Sequence, residues 1–177
     1  MIFSEDKAHA SSSPTAPRSE LGSINDFVEY GKEYVFTWNM HIKDYSNNYN
    51  FCFFQLFQEG PSYGPNIMIK WIRGEYELWV SKNGEGKYRT NLKGHLNEDL
   101  YQMTTWRIVV KMDRNGYVMV ERKRENETSF TLLGQMHGET AQASGATHYL
   151  KLGIYSQQEE AENMVADLNN LVIERTD

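Results

Sequence analysis

A series of short runs in which apolar and polar residues alternate constrains this chain more than any other feature of its sequence. In HYLKLGIYSQ (148–157), Leu150, Leu152 and Ile154 are separated by residues that are polar, aromatic or small. Because side chains along a strand point alternately to opposite faces of a sheet, this run predicts a half-buried β-strand over 147–156. Nine further runs of strand-like composition cover residues 33–43, 50–58, 66–72, 75–81, 86–91, 104–112, 116–124, 129–135 and 169–175.

Turn-forming residues separate these runs, as in DYSNN, QEGPSYGP, KNGEG and DRNG, and DRNGYV predicts a hairpin between two of them. Helix is scarce, and only QQEEAENM (157–164) suits a helical turn or two. Ten or so short strands without intervening helices favour an all-β fold, an antiparallel two-sheet sandwich of the jelly-roll type. We expect one such domain over 17–177, preceded by an N-terminal strand or loop over 1–16.

Composition excludes several classes of function. The formal net charge of −6 argues against general nucleic-acid binding, which needs a basic surface, although a few converging cations would still attract an acidic ligand. The single cysteine, Cys52, cannot form an internal disulfide, and no Cys/His cluster has zinc-ligand spacing. No run approaches the length of a membrane span, and residues 1–14 lack the apolar centre of a signal peptide. We therefore expect a soluble protein with no membrane partner, exported only if a signal peptide has been removed.

The predicted strands present two kinds of polar face. In WRIVVKM (106–112) the apolar alternation turns Trp106, Ile108, Val110 and Met112 inward, and the charges between them face solvent, as on an ordinary convex sheet. In other strands the polar face mixes aromatic, amide, basic and imidazole groups: Phe51, Phe53, Gln55 and Phe57; Met68, Lys70 and Ile72; Thr37, Asn39 and His41; Tyr149, Lys151 and Tyr155. Large exposed aromatic residues usually line a groove or an interface, so these strands predict a binding surface.

Three segments occur in the following order along the chain: PRSELG (17–22), FQLFQ (54–58) and YLKLGIYSQ (149–157). They resemble the R-[STN]-E-L, Q-[IV]-H and Y-F-K-A-G-x-Y-x-Q segments of the alginate lyases of polysaccharide lyase family 7. The third is the most specific, with matches at Tyr149, Lys151, Gly153, Tyr155 and Gln157. Glucuronan lyases and heparin lyase I-like enzymes belong to the same jelly-roll group and share the Lys-x-x-x-Tyr pair. The resemblance implies a jelly roll whose concave cleft binds an acidic polysaccharide.

The resemblance also implies catalytic roles. Cleavage of a polyuronate by β-elimination needs the uronate carboxylate neutralised, a base for the C5 proton and an acid for the departing O4. Gln55 and Arg18 suit the carboxylate, Tyr155 suits the acid and also the base, and Lys151 shares its strand face. Phe57 stands where the alginate lyases have a histidine, and His41, on another predicted strand, is our candidate for the missing imidazole.

Further residues are candidates for binding sugar units of the substrate. They are Glu20, Phe53, Phe57, Lys70, Tyr149 and Gln157. Ordinary structural roles stay open for several candidates: Arg18 and Glu20 as an exposed ion pair, Gln55 as a buried amide, and His41 as a surface residue. The resemblance implies no organic cofactor, and it allows a structural calcium only by analogy, because no acidic loop has a convincing ligand pattern.

The leading hypothesis is therefore a polysaccharide lyase that acts on a uronic-acid polymer such as alginate, glucuronan or a glycosaminoglycan. Two alternatives stay open, because one fold hosts many functions. One is a non-catalytic, lectin-like carbohydrate-binding module. The other is a structural or interaction β-sandwich that buries its aromatic face against a partner.

Overall fold

The computed structural model describes residues 3–4, 18–23, 27–44, 50–58, 65–82, 86–141, 147–156 and 165–176. Its strands, numbered in chain order, are β1 (Phe3–Ser4), β2 (Arg18–Ser23), β3 (Val28–Glu29), β4 (Glu33–Asp44), β5 (Phe51–Gln58), β6 (Pro65–Ile72), β7 (Glu75–Lys82), β8 (Gly86–His95), β9 (Met103–Lys111), β10 (Gly116–Arg124), β11 (Thr131–Gly138), β12 (Thr147–Ser156) and β13 (Val165–Arg175). A short 3₁₀ helix covers Leu96–Glu98. Within these ranges there is no helix with the length and apolar character that a membrane crossing requires. The helical turn predicted at 157–164 lies outside the described residues.

Two antiparallel sheets contain the strands. The larger sheet has the order β1-β2-β12-β5-β6-β7-β8, with β3 also paired to β12, and the smaller sheet has the order β11-β10-β9-β4-β13. The predicted all-β sandwich is confirmed, and so is the hairpin, because β9 and β10 pair across DRNG. The strand β2 was not predicted, since RSELGS contains one apolar residue and no clear alternation. It is a strand because its backbone pairs with that of β12, which is more than a hundred residues away in the sequence.

An aromatic core joins the two sheets. Trp38 of β4 stacks on Phe54 of β5 with ring centroids 5.5 Å apart, and it also stacks on Trp106 of β9, its neighbour in the smaller sheet, at 6.4 Å. The inward set predicted for WRIVVKM is confirmed, since its four apolar side chains are completely buried. Burial of each large apolar side chain contributes on the order of 1.5–3 kcal/mol, so this layer supplies much of the stability of the sandwich.

Phe53 departs from the prediction for its strand. Strict alternation put it on the same face as Gln55, where it was a candidate for binding sugar. In the structure Phe53 is 1% exposed, and its ring centroid lies 4.9 Å from that of Trp106, inside the core. The register of β5 against β6 shifts between Cys52 and Phe54, so that β5 carries one extra residue at this point. Such a β-bulge reverses the alternation, and Phe53 is therefore a core residue rather than a substrate-binding one.

A network of buried charges ties the 3₁₀ helix to both sheets. Asp99, which follows the helix, is 1% exposed and accepts a hydrogen bond of 2.9 Å from the hydroxyl of Tyr76 on β7. It also accepts hydrogen bonds from Arg122 and Arg124 of β10, the second at 3.0 Å. Burial raises the pKa of Tyr76 well above its usual value, and the Asp99 carboxylate raises it further. Since each carboxylate oxygen of Asp99 faces a guanidinium, this network is structural.

Candidate functional site

The segment with the most specific resemblance to the lyases forms β12, which lies inside the larger sheet between β2 and β5. Leu150 and Leu152 are each 1% exposed and belong to the core. Lys151 and Tyr155 point to the opposite side of the sheet and are half-buried. We call this side, which points away from the core, the outer face of the larger sheet. The predicted orientation of this strand is confirmed.

The strand register aligns the backbone positions of several predicted site residues in two rows across the larger sheet. The first row runs through Arg18, Tyr155, Cys52 and Lys70. The second row runs through Lys151, Gln55, Met68, Trp79 and Arg89. Residues directly opposed in antiparallel strands have Cα atoms about 4.5–5.5 Å apart. Tyr155 thus has Arg18 as its neighbour on β2, and Lys151 has Gln55 as its neighbour on β5.

Two bulges draw the rows together from β12 towards β6. The rows are four positions apart on β12, three on β5 and two on β6. Bulges bend a strand and increase its local twist, so the outer face is curved at the point where the site residues gather. The backbone of Gly153, within the irregular part of β12, has a φ of 153°, which glycine adopts more readily than other residues. This requirement gives a physical reason for the glycine in the Lys-x-Gly-x-Tyr pattern.

Lys151 is positioned by two aromatic rings. Its Nζ lies 4.8 Å from the ring centroid of Phe57 and 5.6 Å from that of Tyr149. The two rings face each other across the β5–β12 pairing, with centroids 5.2 Å apart. A cation over an aromatic face gains about 0.5–2 kcal/mol, so these rings restrict where the ammonium group can lie. Phe57, in the place of the expected histidine, thus holds a cation instead of supplying an imidazole.

Gln55 and Lys70 are the deeply buried polar residues among the predicted site residues of the outer face. Each is only 5% exposed, and alternation turns both away from the core, because the neighbouring Leu56 and Ile69 belong to it. The Nζ atom of Lys70 lies 4.0 Å from the ring centroid of Trp79. Lys70 is therefore a buried residue of this face, and its role in binding substrate stays a prediction.

His41 does not join this group. It lies on β4 of the smaller sheet, where its register partners are Met103 and Asp167. Met40 and Ile42 on either side of it are 1% exposed and point into the core. Alternation therefore turns His41 to the outer side of the smaller sheet, with the whole core between it and Tyr155. The predicted role of His41 as the base is wrong, because the sequence did not reveal to which sheet its strand belongs.

Three candidates are placed only by their backbone or not at all. Arg18 and Glu20 lie on β2, opposite Tyr155 and Gly153 in the register. Gln157 lies outside the described residues. The roles of Arg18, Glu20 and Gln157 stay predictions.

Arg89 is a residue of this face that the sequence analysis did not select. It lies on β8 directly opposite Trp79, and its Cζ atom is 3.9 Å from the centroid of that ring. The signal was present in KYRTN (87–91), where basic and polar residues occupy alternate positions. A short run of this kind does not show whether its polar side chains face a binding site or open solvent. Only the strand register relates the position of Arg89 to those of Gln55 and Lys151.

The resemblance allows a structural calcium ion only by analogy, and the metal-ligating side chains were compared over the part of the chain that the structure describes. Over those residues, no group of three or more His, Cys, Asp or Glu side chains is placed to hold a metal ion. Asp99, the most deeply buried carboxylate, is instead engaged by Tyr76 and two arginines.

Comparison with known proteins yields matches in structure only. No protein-family model matches the chain, and no curated protein does. The alginate lyase from Klebsiella pneumoniae is 13% identical at a TM-score of 0.71, and the match covers 94% of this chain and 77% of that one. A PL-14 alginate lyase from Aplysia kurodai is 12% identical at 0.71, with 99% and 82% covered. An endo-β-1,4-glucuronan lyase from Trichoderma reesei is 9% identical at 0.68, with 98% and 79% covered. The chain therefore has the jelly-roll fold of the alginate and glucuronan lyases.

Proposed function

We propose that this protein is a polysaccharide lyase that cleaves a uronic-acid polymer by β-elimination on the outer face of the larger sheet. The observation that supports the proposal is the strand register, in which Tyr155 is paired with Arg18 and Lys151 is paired with Gln55. The structural neighbours include enzymes named as alginate lyases and as a glucuronan lyase, which supports an acidic polysaccharide as the substrate.

Gln55 and Arg18 are assigned to the substrate carboxylate. Removal of the C5 proton places negative charge on that carboxylate, and hydrogen-bond donors already held in position lower the energy of the resulting enolate. Gln55 suits this task because its side chain is buried on this face and it stands opposite Lys151 in the strand register. Lys151, fixed by Phe57 and Tyr149, adds a positive charge that is not free to move away from the substrate.

Tyr155 is assigned both proton transfers, since His41 lies on the other sheet. Its phenolate removes the proton from C5, the electrons of the C5–H bond form the C4=C5 double bond, and the C4–O4 bond breaks. The same proton then passes from the tyrosine hydroxyl to O4, which regenerates the phenolate. The cycle balances with one side chain and needs no redox step.

A single group that removes the C5 proton and protonates O4 must reach both from one face of the sugar ring. In D-mannuronate and D-glucuronate the C5 hydrogen and O4 lie on the same face, whereas in L-guluronate they lie on opposite faces. We therefore expect mannuronate-rich alginate or glucuronan to be cleaved about 10²-fold faster or more than guluronate-rich alginate, because one proton transfer would be lost on the latter.

The test follows the ultraviolet absorbance of the new C4–C5 double bond on mannuronate-rich alginate, guluronate-rich alginate, glucuronan, hyaluronan and heparin. Replacement of Tyr155 by Phe should lower kcat by about 10²–10⁴-fold. The matched control is Tyr117→Phe, since Tyr117 lies on β10 of the smaller sheet and its hydroxyl donates to Glu33. Full activity in Tyr155→Phe would remove the assigned mechanism, and equal rates on both alginates would remove its single-tyrosine form.

A second candidate function is a non-catalytic carbohydrate-binding module. The observation in its favour is Phe57, whose ring packs on Tyr149 at the position where the resemblance expects a histidine. If no polymer gives an absorbance signal while glycan binding persists, this function replaces the lyase.

A further inference from the structure

The bulge of β5 lies between the two rows of proposed site residues. Cys52 is paired with Tyr155 of β12, and Gln55, further along β5, is paired with Lys151. The register against β6 shifts between Cys52 and Phe54, so the extra residue of the bulge falls inside this short interval. The geometry of the bulge therefore sets the offset between the two rows, and with it the offset between Tyr155 and Gln55.

The thiol of Cys52 contacts the backbone of both strands at this bulge. Its Sγ atom lies 3.4 Å from the carbonyl oxygen of Phe54 on its own strand and 3.3 Å from that of Ile69 on β6. Phe54 and Ile69 are register partners, and they form the first pair after the shift. A bulge disrupts the ladder of backbone hydrogen bonds, and a side-chain donor can replace part of it. The thiol thus links the residue opposite Tyr155 to the first regular pair beyond the bulge.

Cys52 also lies on the side of the sheet that carries Tyr155. Phe51 and Phe53 on either side of it belong to the core cluster, so Cys52 points to the outer face. It is nevertheless only 1% exposed. Directly opposed residues of antiparallel strands have Cβ atoms about 4.5–5.5 Å apart, so Tyr155 is its close neighbour across the pairing. A small side chain at this position leaves room for the phenol next to it.

We propose that Cys52 is a positioning residue for Tyr155: its thiol holds the bulge of β5 and thereby fixes the offset between the phenol and the amide of Gln55. The inference rests on the proposed function, because it takes Tyr155 as the group that transfers the protons. A displacement of a reacting group by about 1 Å can lower a rate by about 10²-fold. A buried contact of this kind therefore affects the reaction without touching the substrate.

The first test replaces Cys52 by Ala, which removes the donor and keeps a small side chain. We expect kcat on glucuronan or mannuronate-rich alginate to fall about tenfold and KM to change less than about twofold, because the offset matters most in the transition state. Cys52→Ser restores a donor at this position and should recover most of the lost rate. The thermal midpoint of each variant is measured alongside, and kcat is expressed per folded molecule.

Thr104→Val is the matched control. Thr104 is also 1% exposed, lies on β9 of the smaller sheet, and donates a hydrogen bond of 3.0 Å from its hydroxyl to the carbonyl oxygen of Met40. Its replacement removes a buried side-chain-to-backbone hydrogen bond of the same kind, so it should lower the thermal midpoint and leave kcat unchanged. Equal losses of kcat in Cys52→Ala and Thr104→Val, or a Cys52→Ser variant no faster than Cys52→Ala, overturn the positioning role.

A second measurement separates this inference from the proposed function. The ring of Tyr155, isotopically labelled at Cζ and assigned by comparison with Tyr155→Phe, gives an NMR resonance that reports the surroundings of the phenol. Cys52→Ala should shift this resonance, and Thr104→Val should not. If the wild type cleaves no polymer but the resonance shifts in Cys52→Ala alone, only the proposed function fails. If the wild type is an active lyase whose kcat is unchanged in Cys52→Ala, only the positioning role fails.

Discussion

Two clusters of charged residues in this protein each contain a deeply buried charge but make different contacts. In the network around Asp99, the carboxylate accepts hydrogen bonds from Arg122, Arg124 and Tyr76. On the outer face of the larger sheet, Lys151 and Lys70 lie over aromatic rings. The first arrangement pairs opposite charges within the protein, whereas the second places each ammonium group against an aromatic ring. The two clusters therefore differ in the kind of group that contacts the charge, and burial alone does not distinguish them.

The largest expected effect is a loss of stability when Asp99 is replaced. The substitution Asp99→Asn keeps an acceptor for Tyr76 but leaves the buried Arg122 with only the more distant carboxylate of Glu98, at 3.9 Å, and we expect it to cost up to about 3–5 kcal/mol of unfolding free energy. Urea unfolding measures this loss, while the lyase rate per folded molecule should not change. Asp167→Asn is the matched control, because Asp167 pairs with Lys43 on the surface, where such a pair is worth about 0–1 kcal/mol. Similar losses in both variants would contradict the structural role of the network.

The next effect concerns Phe57 and the position of Lys151. The substitution Phe57→Ala removes one of the two rings under the ammonium group, and we expect kcat/KM to fall about fivefold to thirtyfold, since a cation–π contact contributes about 1–2 kcal/mol. Steady-state kinetics on glucuronan or mannuronate-rich alginate measure this effect. Phe130→Ala removes the equivalent ring under Arg107 on the smaller sheet and should leave kcat/KM unchanged. If both variants lose activity equally, Phe57 acts through general stability instead of through Lys151.

The smallest expected effect concerns the pKa of Tyr76 in the network around Asp99. Burial and the Asp99 carboxylate raise the pKa of Tyr76 in the folded state, whereas in the unfolded chain it is about 10. The unfolded state therefore releases this proton first, so the stabilising contribution is complete below about pH 10 and is lost as the pH rises further. Urea unfolding at about pH 9 and 10.5 should show a steeper decrease of the unfolding free energy in the wild type than in Tyr76→Phe. Parallel decreases in the two proteins would contradict the buried hydrogen bond to Asp99.

Much of the candidate site could be predicted because strand alternation is a local property. The pattern of 148–157 correctly turned Leu150 and Leu152 into the core and Lys151 and Tyr155 away from it. The same rule separated Ile67 and Ile69 from Lys70 on β6, where the first two are buried in the core cluster. No knowledge of the partner strands is needed for such a prediction, since the period of two follows from the backbone of a single strand.

Two predictions failed for reasons that are not local. Phe53 obeys alternation in the sequence, but a bulge in the pairing of β5 with β6 turns it into the core. His41 lies on a strand with regular alternation, but that strand belongs to the smaller sheet. Arg89 was not selected for a related reason, because its place on the outer face depends on its position opposite Trp79.

The sequence by itself determined that this chain forms short antiparallel strands, which residues of most strands are apolar on one side, and that Lys151 and Tyr155 share a strand face. These properties depend on side-chain chemistry and on the geometry of one strand. Only the tertiary structure decided which strands are neighbours, where the register shifts, and therefore that Gln55, Lys70 and Arg89 lie on the face of Lys151 while His41 and Phe53 do not. The reason is physical: pairing and register are set by backbone hydrogen bonds and core packing between segments far apart in the chain, which no single run of residues specifies.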